Sequence, residues 1–366
     1  MKLNLHLPVN STSFGQTSTL ILRTLFEEIK SGKRSDSDFS IFPLGQTDLR
    51  SQDVTEEFVS WLSSKVASCT GTHKRSTPTF KLWHLNGGLE SMSEKQTLLS
   101  FYELDQPTEA ELNSARNNNT LFSSNYSVTN FKNSGADCSF MPLAFDDFNF
   151  NNTGKKYFSD DRIVFSLCGK FEKRKNHEKV IKAWVKKFGG DRRFFLHCAV
   201  FNPFLTPEQN DSSIMKALGG AKPFNVNFFQ FFEKNSAYNE YLNSSNIILG
   251  LSGGEGWGLP EFTSTCLGKH SVIMNAHSYT DWANNKNSSM IEPSSKGEAY
   301  DGVFFHKGAM FNQGNIFDFN EDAFVSACED AVTRVNINRV NVEGVKLKEA
   351  FSKEKLLENI IKYATS

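Results

Sequence analysis

The chain has 366 residues, more than a single hydrophobic core usually organises, so two domains are expected. A formal net charge of −1 excludes a bulk electrostatic pull toward nucleic acid or an anionic membrane. The six cysteines are scattered without a CxxC pair, which argues against a disulfide framework or structural zinc site and fits a reducing, cytoplasmic location, and most of the 34 phenylalanines are expected in the core.

Met1-Lys2-Leu3-Asn4-Leu5-His6-Leu7-Pro8 alternates apolar and polar residues as a strand does, and lacks the apolar region of a signal peptide. No run approaches the length needed to span a bilayer. The spacing predicts a strand over 2–9, a loop containing Gly15, a helix over 17–29 and a strand over 39–44. Asp53 is expected to cap the next helix, with Glu56 completing a capping box and Phe58, Trp61, Leu62 and Val66 as its buried stripe. Strands are predicted over 79–85, 98–102, 120–123 and 138–143, with helices starting near Pro107 and Tyr126.

A loop rich in Asn, Asp and Gly over 145–161 interrupts this rhythm, which then restarts. Strands are predicted over 162–168, 194–201, 226–232, 246–251 and 270–275, with an amphipathic helix over 176–188 and a polar-faced helix over 343–364. Strands alternating with helices imply parallel sheets covered on both faces. The fold class is therefore α/β, with two Rossmann-like doubly wound domains at 1–155 and 156–342 and a C-terminal helix, 343–366, packing back toward the first. Ligands of such sheets sit beyond the carboxyl ends of the strands, so the chemistry is expected in a cleft between the domains.

Two segments point to an anion. Ser252-Gly253-Gly254-Glu255-Gly256-Trp257-Gly258-Leu259-Pro260-Glu261 follows an apolar strand and leads into a short helix with Pro260 at its first position. Glycines admit a ligand close to backbone N–H groups, and a helix N-terminus favours negative charge. Gly169-Lys170-Phe171-Glu172-Lys173-Arg174-Lys175 follows the strand ending at Cys168, so its lysines can grip a diphosphate or form a solvated basic face.

This pair of loops, Gly169-Lys170-x4-Lys175 and Glu255-Gly256-Trp257-Gly258-Leu259-Pro260, resembles the retaining GT-B glycosyltransferases of family four. A weaker echo lies in Ser100-Phe101-Tyr102-Glu103-Leu104-Asp105-Gln106-Pro107, Leu121-Phe122-Ser123-Ser124-Asn125 and Phe131-x3-Gly135. The resemblance implies sugar transfer from a nucleotide sugar, such as a UDP- or GDP-sugar, to an acceptor hydroxyl with retention and without a metal or bound cofactor. It implies phosphate contacts from Lys170, Lys175, Gly15, Gly256, Trp257, Gly258 and Leu259, with Lys170 standing where the family usually has arginine.

In the same comparison Glu255 lies near the transferred sugar, and the family's second acid, which holds the ribose, falls at Thr263. Glu261 is the nearest carboxylate, either a ribose ligand or a first-turn acid favoured by the helix dipole. His84 and Glu103 are candidate catalytic residues, Asp105 a helix cap or acceptor contact, and Trp257 a packing or stacking ring. Asp36-Ser37-Asp38 reads as a solvated turn, so no metal site is assigned. The expected acceptor is a saccharide; a hydroxylated DNA base, reached through Lys132, Lys155, Lys156 and Arg162, stays open. So do a nucleotide-sugar epimerase and a nucleotide-sugar-binding protein of the same fold. Oligomeric state is not legible.

Overall fold

The computed structural model describes residues 2–366, the side chain of residue 72 excepted; Met1, the first residue of the predicted N-terminal strand, lies outside them. Two units result. The first holds the described residues up to Tyr102, Pro107–Asn149 and Lys348–Ser366; the second holds Glu103–Gln106 and Phe150–Leu347. The change of unit at 149 falls inside the polar loop, six residues before the 155 read from sequence.

In the first unit the order is β1 (Leu3–Leu7), α1 (Ser13–Lys30), β2 (Phe39–Pro43), α2 (Glu56–Thr72), β3 (Thr79–Leu82), β4 (Gln96–Ser100), α3 (Glu109–Arg116), β5 (Asn119–Phe122), α4 (Asn125–Asn133) and β6 (Ser139–Phe140). The strands form one parallel sheet in the order β2-β1-β3-β4-β5-β6. Leu3, Leu5, Leu7, Phe80, Leu82, Leu98 and Leu99 are buried, as strands covered on both faces require.

Helix α1 starts at Ser13, four residues before the expected 17. Its opening turns are rich in Ser, Thr and Gly, which read as loop. The hydroxyls of Thr17, Thr19 and Thr24 instead donate to carbonyls one turn back, so polar residues fill a buried helical face. Helix α2 is capped by Thr55, which accepts from the Phe58 amide at 3.3 Å, and not by Asp53; Glu56 is then the first helical residue. Thr108 and Glu111 form the capping box that opens α3.

The second unit follows with β7 (Ile163–Cys168), α5 (His177–Phe188), β8 (Phe194–Ala199), α6 (Pro207–Leu218), β9 (Val226–Phe228), α7 (Asn235–Asn243), β10 (Ile247–Gly250), α8 (Leu259–Cys266), β11 (His270–Met274), β12 (Ser289–Ile291), β13 (Pro293–Glu298), β14 (Asn315–Phe319) and α9 (Glu321–Ile337). Its six-stranded parallel sheet runs β12-β11-β10-β7-β8-β9. An antiparallel hairpin, β13–β14, is added that the sequence reading did not anticipate.

The tail expected as one helix is three: α10 (Val342–Val345), α11 (Leu347–Ala350) and α12 (Lys353–Thr365). Ser352 caps α12, accepting from the Lys355 amide, and Leu356, Leu357 and Ile360 of α12 are buried in the first unit. Both parallel sheets are therefore doubly wound, each with one topological switch point: between β1 and β3 in the first unit, and between β7 and β10 in the second. The loops leaving those strands are where such sheets hold ligands.

Candidate functional site

At the second unit's switch point the segment after β7 meets the segment after β10. Asn176, in the left-handed region at φ 56°, donates from its side-chain amide to the carbonyls of Leu251 (2.9 Å) and Phe317 (3.1 Å), tying the two segments and β14 together. The Gly253 amide donates to the Arg174 carbonyl at 2.8 Å, and the Gly253 carbonyl accepts from the Phe317 amide at 2.8 Å. A Cβ at Gly253 would run into Phe317, and one at Gly254 into the Glu103 carbonyl. These two glycines are thus required by close approach of the protein's own backbone, not by a ligand, and the Gly253 amide is already used.

The side chains brought together there are mostly charged and buried. Lys175 is ion-paired with Glu255. Arg174, 4% exposed, reaches Glu172 at 2.6 Å, Glu103 at 3.1 Å and Glu255 at 3.2 Å, and donates to the Gly254 carbonyl. Burial alone would raise the Glu255 carboxyl, yet Lys175 and Arg174 override it and hold Glu255 well below the usual carboxylate range. Burial likewise opposes charge on Arg174 and Lys175, but the carboxylates around them keep both firmly protonated. Glu103 behaves the other way: burial pushes its carboxyl up against the pull of Arg174, and Glu255 and Glu172 add to the rise.

Two buried histidines lie within electrostatic reach of the cluster. Burial, with Lys175 adding, drives His177 down to about 3, and burial drives His277 down to about 4, so both rings are neutral near pH 7. Each ring Nε2 faces a carbonyl and therefore donates: His177 to Gly169 at 3.1 Å, His277 to Ser252 at 2.8 Å. Tyr279 is fully buried, and burial with nearby Glu261 keeps its hydroxyl protonated.

Helix α8 begins one residue before Pro260, with Gly258 at φ 81° as its cap and Pro260 in its first turn. Glu261 is 2% exposed, packed beneath Gly250 and beside Tyr279. Burial pushes its carboxyl up to about 7, with Glu255 adding, Lys175 opposing, and its own backbone amide holding it down. Glu261 thus lies in the first turn of α8, with its carboxyl buried. Thr263 is buried as well and supplies no carboxylate. Trp257 lies 2% exposed and edge-on to Phe262, with 5.3 Å between ring centroids. Gly256 is buried beside it, and Leu259 is half-buried.

Lys170 is not brought to this cluster. Its ammonium sits 5.0 Å from the ring centroids of both Phe204 and Phe304, which meet edge to face. Lys170 and Lys175 thus make different contacts here: the ammonium of Lys170 rests on aromatic faces, whereas that of Lys175 pairs with Glu255. The residues that sequence reading passed over are Arg174, Glu172, Asn176, His177, His277 and Tyr279. For Arg174 and Glu172 the available signal was alternating charge within one short loop, which favours internal pairing over a solvated face.

Glu103 and Asp105 belong to this unit, in the four-residue segment Glu103–Gln106. Asp105 accepts from the Asn315 amide at 2.7 Å and pairs with Lys296 at 2.9 Å, so it anchors the segment to the hairpin and caps no helix; Thr108 does that.

The first unit's switch point is different in kind. Gly15 lies inside the first turn of α1, not in the loop before it, and a Cβ there would collide with the Asn10 backbone, so close packing requires glycine. Phe14 stacks on Phe101 at 4.2 Å and stands 4.4 Å from the His84 ring, which is exposed beyond β3. Lys81, fully buried in β3, donates to the carbonyls of Gly87 (2.6 Å) and Glu90 (2.8 Å) and fixes the loop that follows His84. Among the described residues no group of three or more His, Cys, Asp or Glu side chains is placed to hold a metal ion, and no helix is long and apolar enough to cross a membrane.

No protein-family model matches the chain, and no curated protein matches it by sequence. Solved structures do match. TarM superposes with a TM-score of 0.54 at 12% identity over 79% of this chain, which spans only 55% of TarM's own length. WaaG, a glycosyltransferase involved in lipopolysaccharide biosynthesis, gives a TM-score of 0.62 at 9% identity over 100% of both chains. Anabaena Alr3699/HepE, solved in complex with UDP and glucose, gives 0.61 at 9% identity, again over 100% of both. At such identities the likeness carries the fold: two Rossmann-like units of the GT-B class.

Proposed function

We propose that the chain is a glycosyltransferase that takes a sugar from a nucleotide-sugar donor and places it on an acceptor hydroxyl. The observation that carries this reading is the Lys175–Glu255 pair at the second unit's switch point, in a fold shared with WaaG and HepE. That HepE was solved with UDP and glucose favours a UDP-sugar donor.

Lys175 is assigned to the donor's diphosphate, where negative charge grows as the sugar–phosphate bond breaks. Its ammonium is buried and stays charged, so it faces that charge in a setting with little solvent screening. Glu255, held ionised, is assigned to accept a hydrogen bond from a hydroxyl of the transferred sugar. Glu261 is not assigned to the ribose, since it is buried beneath the loop. Lys170 is assigned to hold the Phe204 and Phe304 loops together rather than to grip phosphate. Glu103 keeps its assignment as a group near the reacting sugar, through its contact with Arg174, and His84 keeps its assignment as a hydrogen-bonding candidate of the first unit.

The finer reading is transfer with retention, without a metal, to a saccharide. In that chemistry the departing phosphate removes the acceptor's proton on the same face of the sugar, so no separate protein base is needed. Incubation with a panel of UDP- and GDP-sugars is expected to release nucleoside diphosphate, faster with saccharide acceptors than with hydroxymethylated DNA. A protein that neither binds nor cleaves any of them contradicts the reading.

A further inference from the structure

Around Arg174 three carboxylates, Glu103, Glu172 and Glu255, face two cations, Arg174 and Lys175. With Glu103 ionised, the cluster therefore carries an excess negative charge before any ligand arrives. Glu172, Arg174 and Lys175 come from the segment after β7, and Glu255 from the segment after β10. Deeper lie Glu261 of α8 and the neutral rings of His177 and His277. On the segment of Glu103 itself, Asp105 is neutralised by Lys296 of β13. A nucleotide sugar would add two phosphate charges beside an ammonium that Glu255 already neutralises. Buried like charges are poorly screened, so the site must shed negative charge to admit the donor.

We propose that donor binding at this cluster is coupled to the uptake of one proton, and that Glu103 carries it. The inference rests on the donor-binding reading above. Glu172 is held by Arg174 at 2.6 Å, and Glu255 by both Lys175 and Arg174. Glu103 makes one longer ion pair, at 3.1 Å, and its side chain is 31% exposed, so solvent can deliver the proton. Its loss of charge leaves Arg174 paired with Glu172 and Glu255. Burial and the two neighbouring carboxylates already push Glu103 toward its neutral form. Glu103 is thus a positioning and charge-setting residue as well as a neighbour of the reacting groups.

The test is calorimetric titration of UDP-glucose, UDP-N-acetylglucosamine and GDP-mannose into the full chain in two buffers of different ionisation enthalpy. The phosphates of these ligands are diesters, so the ligand brings no proton of its own near neutral pH. Between pH 6.5 and 8 the wild type is expected to take up close to one proton on binding, and its affinity to fall by up to about tenfold per pH unit. Glu103→Gln is expected to bind without proton uptake and with affinity nearly independent of pH. Binding by the wild type without proton exchange overturns the proposal, and so does undiminished uptake in Glu103→Gln. The wild-type proton count stands even if the variant does not fold. Failure of the wild type to bind any of the three ligands overturns the donor-binding reading itself.

Discussion

The two switch points are built on the same topology and hold opposite chemistry. Beyond β1 and β3 the first unit gathers rings and one exposed imidazole: Phe14, Phe101, Trp83 and His84. Beyond β7 and β10 the second unit buries a guanidinium and an ammonium among carboxylates. A doubly wound sheet supplies a place for ligands without specifying what they are; the side chains on the first few residues after each strand decide that. Here the buried charges belong to the second unit, and the first carries a cluster of rings with one exposed imidazole.

The largest break in this contrast is expected from Arg174→Ala, which leaves buried carboxylates without their shared partner. A loss of about 3–5 kcal/mol is expected, read as a lowered urea midpoint, with Arg174→Lys recovering part of it. Lys175→Ala is expected to lower sugar-transfer turnover by about 10²–10³, measured as nucleoside diphosphate release. An unchanged rate removes Lys175 from the phosphate site.

Acid should weaken the second unit's cluster. His177 and His277 have folded-state values below the unfolded one, so the unfolded chain binds more protons in that window. Their contribution is complete above about pH 6.5 and is lost as pH falls toward about 4, with an expected loss on the order of 3 kcal/mol for each ring, followed by denaturant midpoints at several pH values. His84→Ala, at the exposed tip of the first unit, is expected to cost about tenfold in turnover with no shift in midpoint. Lys170→Ala is expected to be the mildest, about two- to fivefold in donor affinity, since its ammonium lies on aromatic faces. A Lys170 effect as large as that of Lys175 would erase the distinction between the two lysines.

The sheets were legible because parallel strands buried on both faces appear as apolar runs, and Ile163–Cys168 and Ile247–Gly250 fall within a residue or so of their predicted bounds. The start of α1 was hidden because its threonines satisfy their hydroxyls within the helix. Strand β13 was hidden because Pro293–Glu298, largely exposed, carries no apolar alternation. At the site, Lys175 and Glu255 followed from loop position and from resemblance. The fate of Lys170 depended on Phe204 and Phe304, more than thirty and a hundred residues away in the chain, which no local pattern encodes. The glycines of the 253–258 loop were recognised as necessary, but for Gly253 and Gly254 the reason is close packing of the protein's own backbone.

A crystal structure with UDP-glucose, or with whichever nucleotide sugar the protein cleaves, tests the central claim most directly. The account predicts diphosphate density within hydrogen-bond reach of Lys175 Nζ, Glu255 beside the sugar, and Lys170 still between its two rings. Diphosphate bound elsewhere, with the Lys175–Glu255 pair untouched, would contradict it.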